Sequence, residues 1–138
     1  MNVAADTCAG TSTNIDFIFL MLRRPARSTL FPYRRSSDLS AGTVAVDSSA
    51  NNQNITFTST IDDDSAGDTD LTLTARTGAV DLQGAVGATN RLDDFTVASA
   101  ATADLMNVAA DTIAVTSTNI DLKGTTYTSS VGGITLTG

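Results

Sequence analysis

Residues 106–121 read MNVAADTIAVTSTNID, and residues 1–16 read MNVAADTCAGTSTNID, with Cys8 in place of Ile113 and Gly10 in place of Val115. Inside the phrase Ile113 and Val115 flank Ala114. That period-two alternation puts two apolar side chains on one face of an extended strand and the small residue on the other. A phrase repeated this closely marks the chain as an array of short strands. The copies then diverge abruptly: LKGTTYTSS follows Asp121, whereas FIFLMLRRPARS follows Asp16.

The same alternation recurs along residues 40–138, in Val44/Val46, Ile55/Phe57, Leu71/Leu73, Val80/Leu82, Phe95/Val97, Ile120/Leu122 and Ile134/Leu136. Clusters of Gly, Asn, Asp and Ser separate these pairs, such as AGDTD, VGATN and SVGG, and they read as turns. Each strand is expected to be about three to five residues long. Val80-Asp-Leu-Gln-Gly84 returns forty residues later as Ile120-Asp-Leu-Lys-Gly124, and Ile55-Thr-Phe-Thr58, Phe95-Thr-Val-Ala98 and Ile134-Thr-Leu-Thr137 are spaced by forty and thirty-nine. A unit near forty residues, or two coils near twenty, predicts a solenoid. The expected fold is all-β, a right-handed parallel β-helix fragment over 40–138, with 1–16 as a partial coil duplicating 106–121. The alternative is an antiparallel immunoglobulin-like β-sandwich, which also needs seven or eight short strands with regular turns.

Composition agrees with strands and turns. All fifteen acidic residues are Asp, and His and Trp are absent. Asp, Asn, Ser and Gly work against helix, and Thr favours strands. Outside residues 17–39 only Arg76, Arg91 and Lys123 oppose fourteen Asp. Such a surface repels nucleic acid and anionic lipid and favours solubility or divalent cations. Cys8 is the only cysteine, so no internal disulfide forms.

Residues 17–39 differ in kind. They hold both prolines, Pro25 and Pro32, and five of the eight basic residues. The apolar run Phe17 to Leu22 falls far short of the roughly 20 residues of a membrane helix, and it precedes its arginines, the reverse of a signal peptide. No membrane insertion is expected from it. The stretch MLRRPARSTLFPY followed by RRSSDL resembles a translated sequencing-library adapter with a frameshift. It is therefore expected to be a non-native insert, disordered or irregular. Met1 matches Met106 inside the array, so it reads as an internal methionine, with the native amino terminus and any secretion signal expected upstream.

Ile55-Thr-Phe-Thr-Ser-Thr-Ile-Asp62, Leu71-Thr-Leu-Thr-Ala-Arg-Thr-Gly78, Gln83-Gly-Ala-Val-Gly87 and Phe95-Thr-Val-Ala-Ser99 resemble the β-strand repeats of large bacterial surface adhesins. These are the filamentous-haemagglutinin-like and autotransporter-type exoproteins. The resemblance covers most of 40–138 and, through the duplicated phrase, 1–16. It implies a non-catalytic, secreted, cell-surface segment that acts as a stalk or binding surface. The implied partners are neighbouring repeats of a longer parent chain and a host or cell-surface receptor or glycan. No functional residue is carried over.

The densest carboxylate cluster is Ile61-Asp-Asp-Asp-Ser-Ala-Gly-Asp-Thr-Asp70. Hard oxygen ligands in a loop suit Ca²⁺, and Asp62, Asp64, Asp68 and Asp70 are the candidate ligands; no other cofactor is expected. The plainer reading is a solvated loop between coils. Position twelve from Asp62 is Leu73, where an EF-hand needs Glu. The calcium reading pairs with the sandwich fold as an alternative function, an extracellular calcium-stabilised binding domain. Asp93 and Asp94 raise a third alternative, a polysaccharide-degrading β-helix enzyme with paired carboxylates. Neighbours on a strand point to opposite faces, which works against that site.

Overall fold

The computed structural model describes residues 14–17, 36–39 and 42–138, and all the regular structure among them is strand. In chain order the strands are β1 (Asn14–Phe17), β2 (Ser36–Leu39), β3 (Gly42–Asp47), β4 (Asn54–Phe57), β5 (Thr60–Asp63), β6 (Thr69–Thr74), β7 (Ala79–Leu82), β8 (Leu92–Leu105), β9 (Val108–Leu122) and β10 (Tyr127–Thr137). Among the described residues every strand pairing is parallel. The sandwich alternative falls on this point, because hairpin-linked strands pair antiparallel. The chain is a parallel β-solenoid of about four turns.

Three faces run up the solenoid. Face I stacks β1, β4, β7, the second half of β8 and the end of β9, with Ile15, Ile55, Val80, Ala103 and Ile120 in register. Face II stacks β2, β5, the isolated bridge residue Val86, the start of β9 and the start of β10, through Ser37, Ile61, Val86, Val108 and Tyr127. Face III stacks β3, β6, the first half of β8, the middle of β9 and the end of β10. Its two columns are Val44, Leu71, Phe95, Ile113, Ile134 and Val46, Leu73, Val97, Val115, Leu136. Alternation turns these residues inward, and the resulting core holds Ile55, Leu71, Leu73, Val80, Leu82, Phe95 and Ile113 almost wholly shielded from water.

The forty-residue echo has a mixed origin. Val80 and Ile120 share face I with Ala103 between them, so their spacing is two coils. Phe95 and Ile134 are likewise two coils apart on face III, with Ile113 between. Ile55 lies on face I, so its match to Phe95 joins different faces. Coils measured up face III take 27, 24, 18 and 21 residues, from Val44 to Leu71, Phe95, Ile113 and Ile134. The shortest coils leave no room for turn loops, which is why β8, β9 and β10 run 14, 15 and 11 residues around corners in place of the short strands expected. A register shift between Val97 and Ala100 bends β8 from face III to face I, as a bulge does.

Glycine marks the corner from face I to face II. A Cβ on Gly84 would overlap the backbone of Ser59, and one on Gly124 would overlap the backbone of Asn107. In each case the obstacle is the same corner one coil earlier. Asn107 uses the space left by Gly124: its Oδ1 accepts hydrogen bonds from the N–H groups of Thr125 (2.8 Å) and Thr126 (3.1 Å). Ala103-Asp-Leu-Met-Asn107 is thus a third copy of the Val-Asp-Leu-Gln-Gly84 corner, with Asn in the glycine position.

The segment set aside as irregular, 17–39, is strand at both ends: Phe17 closes β1 and Ser36–Leu39 forms β2. Pairing explains the difference, since β4 and β5 offer these residues parallel partners, and Leu39 is buried. Residues 18–35, and the Cys8 and Gly10 positions of the first copy, lie outside the described residues.

Candidate functional site

The carboxylates gather at two places, the corner between faces II and III and the outer surface of face I. At the corner, β5 delivers Asp62 and Asp63 side by side, and strand alternation sends them opposite ways. Both are buried. Asp63 folds into the turn that follows it. Its Oδ2 accepts from the N–H groups of Asp68 (2.9 Å) and Thr69 (3.0 Å), and its Oδ1 accepts from the Thr69 hydroxyl (3.0 Å). Asp62 reaches one coil on, where its Oδ1 accepts from Thr89 N–H at 2.7 Å. Asn90 returns the link by donating to the carbonyls of Asp63 (3.0 Å) and Asp64 (3.2 Å). The loop is therefore stapled and only partly solvated.

The four candidate calcium ligands do not converge as drawn from the sequence. Asp62 is occupied by Thr89, Asp64 and Asp68 point into solvent, and Asp70 accepts from the Thr43 hydroxyl of the preceding coil at 3.2 Å. Among the described residues no three His, Cys, Asp or Glu side chains are grouped so as to hold a metal ion. Asp93 and Asp94 are both exposed at the start of β8.

One coil above the stapled loop, Arg91 pairs with Asp111 through its Nε, and its Nη2 lies 3.5 Å from the second carboxylate oxygen. Gly67 fits beneath this pair; a Cβ there would lie 3.3 Å from Asp111 Oδ2, and its φ of +82° suits glycine. The hydrogen bond from Arg91 holds the Asp111 carboxyl below the ordinary range. Asp93 moves the other way. Desolvation first, then the neighbouring charges of Asp94, Asp70 and Asp111, raise its carboxyl, with Arg91 opposing.

The two shifts have opposite linkage. Asp111, with its folded value depressed, adds stability above the unfolded carboxylate pKa of about 3.9, and loses it as pH falls through the lowered value. Asp93, with its folded value raised, adds stability that is complete below that unfolded value and lost as pH rises through the folded one. Asp93→Asn should therefore raise the thermal midpoint at pH 7 and leave it unchanged near pH 2. Equal shifts at both pH values would contradict this assignment.

On face I, Asp81, Asp104 and Asp121 are in register on successive coils, roughly 4.8 Å apart. Asp81 and Asp121 hold the same place in the echoed Val80-Asp-Leu-Gln-Gly84 and Ile120-Asp-Leu-Lys-Gly124, and Asp104 fills the coil between them. Lys123 donates to Asp104 Oδ2 at 2.6 Å. Its ammonium is held above the ordinary lysine range by Asp104 first and by Asp81 and Asp121 further off. Gln83 donates to Asp81 Oδ2 at 2.8 Å. The ladder is a partly neutralised acidic stripe on the outer surface of face I.

Sequence reasoning missed the Arg91–Asp111 and Lys123–Asp104 pairs. Their signal is the coil itself, since partners 20 and 19 residues apart lie on adjacent rungs. No family model, curated protein or solved structure matches the chain.

Proposed function

We propose that the chain is a non-catalytic structural and adhesive segment of a secreted bacterial surface exoprotein, a stalk whose outer faces meet a cell-surface receptor or glycan. The observation that carries this reading is the unbroken parallel ladder of face III, from Val44 through Leu71, Phe95 and Ile113 to Ile134. Such a ladder lengthens by adding rungs, and stability in stacked repeats comes from each unit and its nearest neighbours. Neighbouring repeats of a parent chain fit both ends of it. The outward residues also suit a spacer: Thr72, Thr96 and Thr135 on face III and the acidic stripe on face I give a polar, strongly negative exterior, which resists non-specific clustering. The resemblance of 55–99 to surface-adhesin repeats supplies the location, outside the cell, and the adhesive role.

Two assays on the purified chain test the reading. Beads coated with it should be retained on host-cell monolayers or glycan arrays above beads coated with an unrelated acidic protein. Incubation with a panel of polysaccharides should release no reducing ends. Released reducing ends would overturn the non-catalytic character, and absence of retention would overturn the adhesive one.

A further inference from the structure

We propose that the outer surface of face III binds ice, through two in-register columns of hydroxyl side chains that meet the lattice of an ice crystal. The inference goes beyond the adhesive reading and does not rest on it.

On β6, Thr72 and Thr74 flank the buried Leu73, and alternation sends both outward. Parallel pairing repeats the two positions up the face. Thr72 is in register with Thr96, and Thr96 with Ala114 and then Thr135. In the second column Thr74 pairs with Ser99 across the bulge, and Thr116 pairs with Thr137 on the next two coils. All of these positions but Ala114 carry a hydroxyl, and none carries a charge, in a chain of net charge -7. Hydroxyls elsewhere are bound within the chain, as at Thr43, Ser48, Thr69, Ser117 and Ser129. Among the described residues the hydroxyls of the two columns enter no such bond, so they are open to an outside partner.

Three properties of the surface select that partner. A charged ligand finds no opposite charge in the columns, and a sugar ring finds no aromatic plane, because the aromatic residue of face III, Phe95, is wholly buried. The four rungs and two columns cover only roughly 200–250 Å², against about 800 Å² per partner for a stable protein interface. What the surface does offer is a two-dimensional repeat. Rungs lie roughly 4.8 Å apart, and the columns, two residues apart on each strand, roughly 6.6–6.8 Å apart. The prism face of hexagonal ice repeats on similar spacings in both directions. A hydroxyl donates and accepts as water does, and β-branching restricts threonine at χ1 before any partner arrives. Immobilising a bridging water costs up to about 2 kcal/mol; at an ice surface the waters are already fixed, so that cost is absent.

The test is partition into slowly growing ice, with the 138-residue chain compared against an unrelated acidic protein of similar size. Thr96→Tyr and Thr116→Tyr each raise a ring above the array. Thr102→Tyr makes the same change on the outer surface of face I, where Thr102 sits between Ala79 and Asn119. The unmodified chain should concentrate in the ice and slow recrystallisation of a polycrystalline ice film. Each face III variant should lose both effects, and Thr102→Tyr should keep both. Circular dichroism melts check the fold of every variant. Exclusion of the unmodified chain from ice to the same degree as the control protein would overturn the proposal. So would retention of both effects in Thr116→Tyr, or an equal loss in Thr102→Tyr. Thr116 is exposed, so Thr116→Tyr decides the question by itself should Thr96→Tyr fail to fold.

Discussion

Phe95→Ala is expected to cost about 3–5 kcal/mol, the range for deleting a fully buried aromatic ring. Phe95 is wholly inaccessible and is the largest of the fully buried side chains. It lies in the third rung of face III, paired with Leu71 on one side and Ile113 on the other. The cavity has little means of closing. Rungs are held at roughly 4.8 Å by their backbone ladders, so neighbours cannot slide into the space without breaking hydrogen bonds on both sides. The thermal midpoint should fall by on the order of 10 °C or more. Val131→Ala, at a position 80% exposed, serves as the control and should change stability by less than about 0.5 kcal/mol. A loss below about 1 kcal/mol for Phe95→Ala, measured by urea melts, would show that the interior repacks and is not the close-packed column described.

The second large effect belongs to Asp63. Removing its carboxylate in Asp63→Ala leaves the N–H groups of Asp68 and Thr69 without their acceptor, together with the Thr69 hydroxyl. Thr69 is fully buried, so water does not easily replace what is lost. Each stranded buried donor costs about 1–3 kcal/mol, and the sum expected is about 2–4 kcal/mol. Asp63→Asn keeps one acceptor oxygen and should lose about half as much. Asp64→Ala, one residue on and exposed, is the paired control. If Asp63→Ala and Asp64→Ala melted together, the staple would have no energetic weight.

Asp63 also shows where sequence reading reaches its limit. Within a run of carboxylates it looks like one more solvated acid, because its partners are backbone groups of its own turn, and backbone groups carry no sequence signature. Faces I and III were legible, because Ile55/Phe57, Leu71/Leu73 and Phe95/Val97 alternate cleanly and alternation is what an inward column demands. Face II was not. It contributes single inward residues such as Ile61, Val86 and Val108, and one apolar residue between turns has no period to detect. Ala103 escaped for another reason: it is too small to register as a core position, yet it holds the face I column between Val80 and Ile120. The cross-coil pairs were hidden by the uneven coil length, since Thr43 and Asp70 are 27 residues apart whereas Lys123 and Asp104 are 19 apart.

That unevenness has a consequence for tolerance to insertion. Between the first and second rungs of face I, from Ile15 to Ile55, the chain spends 40 residues, against 25 from Ile55 to Val80. The ladder fixes which strands meet but keeps no count of the residues between them, and the entropy of closing the longer loop exceeds that of the shorter by only ~0.4 kcal/mol. β2 and β3 fall between these two rungs of face I and pair on faces II and III. A solenoid can take added residues at a corner almost without penalty, whereas one residue added within a face would turn every side chain beyond it to the other side.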